Sequence, residues 1–436
     1  APSWLALPGG HGLGLGRYWH FLSALLWTLC GLTYLALLIL SPQWRRLVPT
    51  SWEIFPDAWR TTLAYLELKQ PESKPPYTYD SRLPFNAMQQ LTYFALIFGL
   101  VPFQILTGLA QSPSVLARFP WFERSFGKGG RQTARSLHFL GLVAFGGFLL
   151  IHLTMVVWHG FASEMDKMIL GRAHSSGSWL GAGLGLAVIG LLVVLLATAN
   201  YLSEKHRRFT HWLIGTPVDF VRRHTLHNTV SRQHYDESEI SPHFRMNGYP
   251  PIAAYPQAQG GDHTFEQLLD GNFAAYQLEI SGLVDNPLRL SLNDLRALPR
   301  QEQTTLHHCI QGWTSIGRWG GVPLLEILDL CKPSADAKYL AFHSFGMHEY
   351  SGKPYYECVA MAIGKHPQTI LAYELNGEPL PLQHGAPLRV RFESKLGFKM
   401  VKFLRRIEVV DDYRKIGDGM GGVREDEQQF DMGAEI

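Results

Sequence analysis

The chain of 436 residues is short of charge and of cysteine. Lys, Arg, Asp and Glu make up only 17% of it, against about a quarter in soluble domains. Basic and acidic residues nearly cancel, 39 against 37, so no strong field exists to hold a polyanion, which argues against a nucleic-acid partner. A hydrophobic content of 46% argues against disorder. The four cysteines, Cys30, Cys309, Cys331 and Cys358, show no C-x-x-C spacing, which argues against a zinc ribbon or a disulfide scaffold.

The sharpest absence lies in the first half. No Lys, Arg, Asp or Glu occurs between Arg17 and Arg45, Arg82 and Arg118, Arg135 and Glu164, or Arg172 and Glu204. Each gap holds about 20 mostly apolar residues, the length that crosses a bilayer. The expected spans are 19–40, 90–110, 136–159 and 179–201, and no such stretch returns after Glu204. The first 204 residues therefore read as an all-α, four-helix membrane bundle in contact with lipid. Arg118, Arg124, Lys128, Arg131, Arg135, Lys205, Arg207 and Arg208 fall on one side of it, whereas Lys167 and Arg172 on the other side are balanced by Glu164 and Asp166. This bias places both termini, and the chain beyond the bundle, on the cytoplasmic side of a bacterial inner membrane.

His138 and His152 stand 14 residues apart in the third span. On a helix that spacing is roughly 21 Å of rise and about 40° short of whole turns, so both face one way near opposite membrane faces. His20 starts the first span at the level of His138. Neutral imidazole is a usual axial ligand of haem iron; hydrogen bonding within the bundle, or a quinone site, are the other readings. The pattern resembles the four-helix b-type cytochrome subunits of formate dehydrogenases and nickel–iron hydrogenases, which carry two ligand histidines 14 apart on one late helix. That resemblance implies one or two b haems, held by His20, His138 and His152, and exchange of electrons with a membrane quinone. The second span contains no histidine, so the partner of His152 is missing from its expected helix; Met88 and His174 lie at suitable depth.

Residues 205–243 read as an amphipathic surface segment, HWLIGTPVDFV, followed by a polar tether broken by Pro217 and Pro242. From 244 to 436 short strand-like runs alternate with turns, the pattern of an α+β domain. YQLEISGLV and LRL flank the turn Asp285-Asn286-Pro287 as a hairpin. Ser291 and Asp294 form a capping box opening a short helix. LLEIL reads as a helix, and PLRVRFE and VKFLRRIEVV as late strands.

Cys309 sits in LHHCIQGWTSIGRWGGVPL, directly after His307 and His308. Alone, a cysteine is usually a small buried hydrophobe, but its thiolate is also a soft metal ligand, and adjacent histidines and Arg318 favour the ionised form. The segment resembles the molybdenum-ligand segment of the sulfite oxidase family. ISGLVDNPLRLSLNDL before it, and QTILAYELNGEPLPLQHGAPLRV and GFKMVKFLRRIEVV after it, continue the likeness over about 244–410. This resemblance implies a sulfite oxidase-like domain with Cys309 on the molybdenum of Mo-molybdopterin. It implies pterin contacts from Phe244, Arg245, Asn247, His384, Arg389, Lys399, Met400 and Lys402. Arg318 and Arg245 are the groups expected to shape an anion-attracting catalytic pocket. Gln311, Gly312 and Trp313 stand where sulfite oxidases place a further arginine, and no immunoglobulin-like domain is read after the third signature. In both respects the domain is closer to the bacterial catalytic subunit that reduces methionine sulfoxide.

The expectation is a membrane-bound molybdenum oxidoreductase that moves an oxygen atom to or from a small oxyanion or oxide, with sulfite as the leading example. Electrons pass between its pterin site and the quinone pool through haem b. A quinol-driven sulfoxide reductase is the first alternative, and an electron-transfer module without molybdenum the second. A homodimer is compatible with all three.

Overall fold

The structure, a computed structural model, describes residues 13–66, 86–112, 115–116, 119–127, 130–158, 160–171, 179–225, 235–246, 248–255, 261–428, 430 and 432–433. It divides into two compact units, His20–Leu195, and Ala1–Trp19 together with Leu196–Ile436.

Four helices are long and apolar enough to cross a membrane: Gly14–Leu40, Ala87–Leu109, Gly130–Trp158 and Leu180–Ser203. They coincide with the four stretches free of ionisable residues. Leu29, Leu150, Ile151 and Val194 each expose more than half their surface, as expected of helices whose outer solvent is lipid. The second begins at a capping box in which Asn86 accepts from the Gln89 amide at 2.8 Å and Gln89 accepts from the Asn86 amide at 3.2 Å. It then widens into a π turn over Ala95–Leu100, where the Val101 amide reaches back to the Leu96 carbonyl. Pro102 follows immediately; having no N–H, it cannot close an α-helical bond there, and the wider turn absorbs the break.

The α+β domain contains ten strands among the described residues. A mixed sheet runs β2-β1-β10-β5-β6, with β1 Gln277–Gly282, β2 Leu288–Ser291, β5 Tyr339–Met347, β6 Pro354–Ala360 and β10 Leu404–Val410. The second sheet runs β3-β4-β7-β8, with β3 Gln301–His308, β4 Thr314–Pro323, β7 Ile370–Leu375 and β8 Glu378–Pro379; β9 Arg389–Arg391 also pairs with β7. The expected hairpin is β1 and β2, antiparallel with Gln277 opposite Ser291 and Ile280 opposite Leu288. Its capping box comes next, with the Asp294 amide 3.2 Å from Ser291 Oγ. Strand alternation sends Leu278 and Ile280 inward, onto a core that includes Phe265, Leu324, Phe342, Ile407 and Val409. A smaller cluster of Phe244, Cys309, Trp313, Trp319 and Ile370 packs on the second sheet. It supports the site.

Candidate active site

In the membrane unit the rings of His20 and His138 lie 6.3 Å apart, centre to centre, at 87°. Two imidazoles facing one iron, each with a metal–nitrogen bond of about 2 Å, would have ring centres roughly 6.4 Å apart. Thr107 Oγ1 gives its proton to the Phe103 carbonyl at 2.8 Å and stands 3.1 Å from His138 Nδ1. The hydroxyl oxygen is thus an acceptor for Nδ1–H, which leaves Nε2 with its lone pair. The Gln104 amide, 3.3 Å from Nε2, donates to it. His152 is exposed and its ring stacks on Phe148 at 5.8 Å. Met88 Sδ accepts from Thr62 Oγ1 at 3.5 Å and Met88 packs near Ile54 and Ala87. His174 lies outside the described residues.

In the other unit, β3 ends at His308 and passes the chain into a tight turn. The Cys309 amide donates to the Trp313 carbonyl and the Gly312 amide to the Cys309 carbonyl, each at 3.0 Å. Gly312 adopts φ +88°, where a side chain would be strained. The Gln311 amide points at Cys309 Sγ from 3.4 Å. An open pocket lies alongside, and Phe244, Arg245, His384, Arg389, Met400 and Lys402 all line it. Cys309 is not one of the lining side chains. It packs against two that are, Phe244 and Trp313.

Two comparisons with known families meet this geometry. Residues 267–416 match the oxidoreductase molybdopterin binding domain, and residues 2–171 match the prokaryotic cytochrome b561. The N-terminal part of the chain thus matches a cytochrome b family and the C-terminal part a molybdopterin oxidoreductase domain. The chain is an enzyme of multi-pass membrane type, and its cofactors are Mo-molybdopterin and haem b. A protein of Azospira oryzae, provisionally named a protein-methionine-sulfoxide reductase subunit, is 35% identical over 179 residues, 41% of this chain and 61% of that one. The protein-methionine-sulfoxide reductase catalytic subunit of Xanthomonas campestris is 34% identical over 145 residues, 31% of this chain and 45% of that one. The chain therefore spans less than two thirds of either relative. The sulfane dehydrogenase SoxCD of Paracoccus pantotrophus aligns with a TM-score of 0.29 and 25% identity, over 34% of this chain and 42% of that one.

The pocket suits an anionic pterin. Arg389 is buried; it donates to the His384 carbonyl at 2.8 Å and the Met400 carbonyl at 3.2 Å, and its Nε meets no partner among the described residues. Lys402 Nζ donates to the Gly248 and Gln383 carbonyls, both at 2.9 Å. Burial, then Arg389, pull the lysine well below its ordinary pKa. Neither cation is hydrogen-bonded to a carboxylate among the described residues, an arrangement that is costly until an anion completes it. His384 is brought down to about 4, by burial first and then by Arg389 and Lys402, so it meets a ligand as a neutral hydrogen-bonding group. Trp319 is fully buried, with the guanidinium carbons of Arg389 and Arg391 at 4.9 and 4.3 Å from its ring centre. Arg391 in turn donates to His307 Nδ1 at 2.9 Å and to both oxygens of Glu393. His307 backs onto Gly397, where a Cβ would lie 2.3 Å from the imidazole. The glycine lets the 397–402 segment close against β3.

Two sequence expectations require correction. Lys399 does not line the pocket. Its side chain is fully buried and donates to Glu357 at 3.0 Å and to the Cys358 and Gly421 carbonyls at 2.9 and 3.0 Å, and it pairs with Glu425. Its charge holds the C-terminal segment instead of a phosphate. Arg318 does not line the pocket either. Next to Trp319 on β4 it points to the opposite face, pairs with Glu237 and lies 3.8 Å from Glu302. Asn247 lies outside the described residues. Sequence reasoning missed Tyr355 and Arg424, which line the pocket together with Glu349.

Proposed function

We propose that the chain is a quinol-driven reductase that removes oxygen from a sulfoxide. One sulfoxide and one quinol become one sulfide, one quinone and one water, the quinol supplying both electrons and both protons. The reading is carried by identities of 34 and 35% to proteins named for methionine-sulfoxide reduction. The diversion of Arg318 to Glu237 supports it, because it removes an expected arginine from a sulfite pocket. Cys309 would hold the metal as its thiolate. Arg245, Asn247, His384, Arg389, Met400 and Lys402 would hold the pterin, with Phe244 packed beside it. When bound, the molybdenum group supplies the two-electron exchange of an oxygen atom. The chain's own residues confine the substrate, neutralise the pterin phosphate and keep His384 unprotonated. His20 and His138 would ligate one haem iron and His152 a second, near the other membrane face.

Domain limits of 1–204, 205–243 and 244–436 fit this division of labour. The short-loop arginines and lysines favour the bacterial inner membrane with the molybdenum domain in the cytoplasm. Oxidation of a small oxyanion such as sulfite, the reverse direction, is favoured by one observation: four cations, Arg245, Arg389, Lys402 and Arg424, share the pocket with a single carboxylate, Glu349, among the described residues. The test is turnover of purified chain in detergent, with a reduced quinone analogue against methionine sulfoxide and with an oxidised analogue against sulfite. Sulfoxide-dependent quinol oxidation is expected. Sulfite-dependent quinone reduction alone would reverse the direction.

A further inference from the structure

The cationic pocket has a wall that no pterin signature accounts for. The C-terminal segment crosses β6, with the Cys358 amide donating to the Gly421 carbonyl at 2.8 Å, and then forms the short helix Val423–Gln428. Three consecutive side chains of this helix diverge. Glu425 turns inward to Lys399. Asp426 accepts from the Tyr356 hydroxyl at 2.6 Å. Arg424 enters the pocket, where its Nη2 lies 2.7 Å from Glu349 and its side chain is 7% exposed. Beyond the helix, Phe430 packs on Phe398 with ring centres 4.9 Å apart, in a cluster joined by Ile310, the residue after Cys309. The segment thus runs along the cysteine side of the pocket, carrying an arginine with it. Tyr355 stands beside that arginine and donates to the Phe398 carbonyl at 2.8 Å.

We propose that Arg424 is the substrate-oxygen receptor of the molybdenum pocket, supplied by the C-terminal segment in place of the arginine that the Cys309 loop does not provide. The inference rests on the pocket being the reaction site, as proposed above. A sulfoxide oxygen carries most of the negative end of the S–O dipole, and an oxyanion carries a full charge. Both accept a charge-assisted hydrogen bond from a guanidinium. Glu349 holds the guanidinium in the pocket while the site is empty and competes with substrate for it. Lys399 and Tyr356 hold the helix independently of that pair, so the arginine can exchange partners without release of the segment.

The competition gives two substitutions opposite signs. The probe is inorganic sulfate, titrated calorimetrically into the full-length chain in detergent, with methionine-sulfoxide turnover measured separately. Arg424→Gln is expected to weaken sulfate binding by roughly ten- to a hundredfold, the worth of one hydrogen bond to a charged group. It should raise KM for the sulfoxide by a similar factor, with less effect on kcat. Arg424→Lys should recover part of the sulfate affinity. Glu349→Gln is expected to tighten sulfate binding, because it frees the arginine and removes the carboxylate. If Arg424 serves only to pin the segment, both the Arg424 and Glu349 substitutions weaken binding alike or leave it unchanged, and either result overturns the inference. Should Arg424→Gln fail to fold, Glu349→Gln still decides by the sign of its effect. Sulfate binding that depends on Arg424 in a chain that does not turn over methionine sulfoxide would sink the proposed reaction and leave the receptor standing.

Discussion

Replacing Lys399 with Met separates two roles for one lysine. The signature around it points to the pterin phosphate, whereas in the fold its charge serves the C-terminal segment. Its ammonium makes hydrogen bonds of 2.9–3.0 Å to Glu357, Cys358 and Gly421, and Glu425 completes the cluster. All three ionisable side chains are fully buried. Methionine keeps the length of the chain but leaves two carboxylates facing each other without a counter-ion. Removing one partner of a buried pair costs about 3–5 kcal/mol, and the two carbonyl bonds go with it. Part of this is recovered by protonating the carboxyls, since Glu425 is already pushed well above its usual range by burial and by Glu357. The loss falls on the attachment of residues 417–430, so opening of that segment should become roughly a hundred- to several-thousandfold more frequent. Limited proteolysis or hydrogen exchange of the purified chain reads this directly, alongside its molybdenum content. The expected result is an unprotected C-terminal segment. Intact protection together with lost molybdenum would refute the reasoning and return Lys399 to the phosphate.

Two further substitutions test neighbouring parts of the account. Glu425 has a folded-state pKa raised above 4.5, so the folded chain keeps a proton that the unfolded chain loses. Its stability contribution is complete below about 4.5 and declines as pH climbs toward the raised value. The thermal midpoint of the molybdenum domain should therefore fall as pH rises above about 4.5, and Glu425→Gln should reduce that slope; an unchanged slope would contradict the assignment. Thr107→Val removes the acceptor for His138 Nδ1–H while preserving shape. Loss of such an orienting partner typically weakens metal binding roughly 10- to 100-fold, so haem retention, read from the Soret absorbance during competition with apomyoglobin, should fall. Full retention would mean that Thr107 does not orient a ligand.

Legibility differed sharply between the two halves. The four spans were readable because lipid forbids charge over about 20 residues, a constraint local to each segment. The β1–β2 hairpin and the Ser291 capping box were readable for the same reason, since turn and cap chemistry is complete within a few residues. His20 and His138 come from different helices, yet a count of residues from each helix end puts them at one depth. Arg318 was misplaced although the signal existed: it alternates with Trp319 on a strand, so an inward tryptophan turns it outward. Lys399 carried no such signal. Its motif fixes a place in the chain, but the side chain is captured by Glu425, 26 residues later. Val423, Arg424, Glu425 and Asp426 carried no local signal either, because only the sheet they lie on makes them buried.

The central claim is that electrons entering the cytochrome reach an oxygen acceptor at the Cys309 pocket within one chain. The most direct measurement is anaerobic rapid mixing of quinol-reduced chain with methionine sulfoxide, following the haem b absorbance. The account predicts prompt reoxidation of the haem in the native chain and none in Cys309→Ser, whose haem spectrum is otherwise unchanged. A haem that stays reduced in the native chain, with molybdenum and haem both present, would contradict it, as would equal reoxidation in Cys309→Ser.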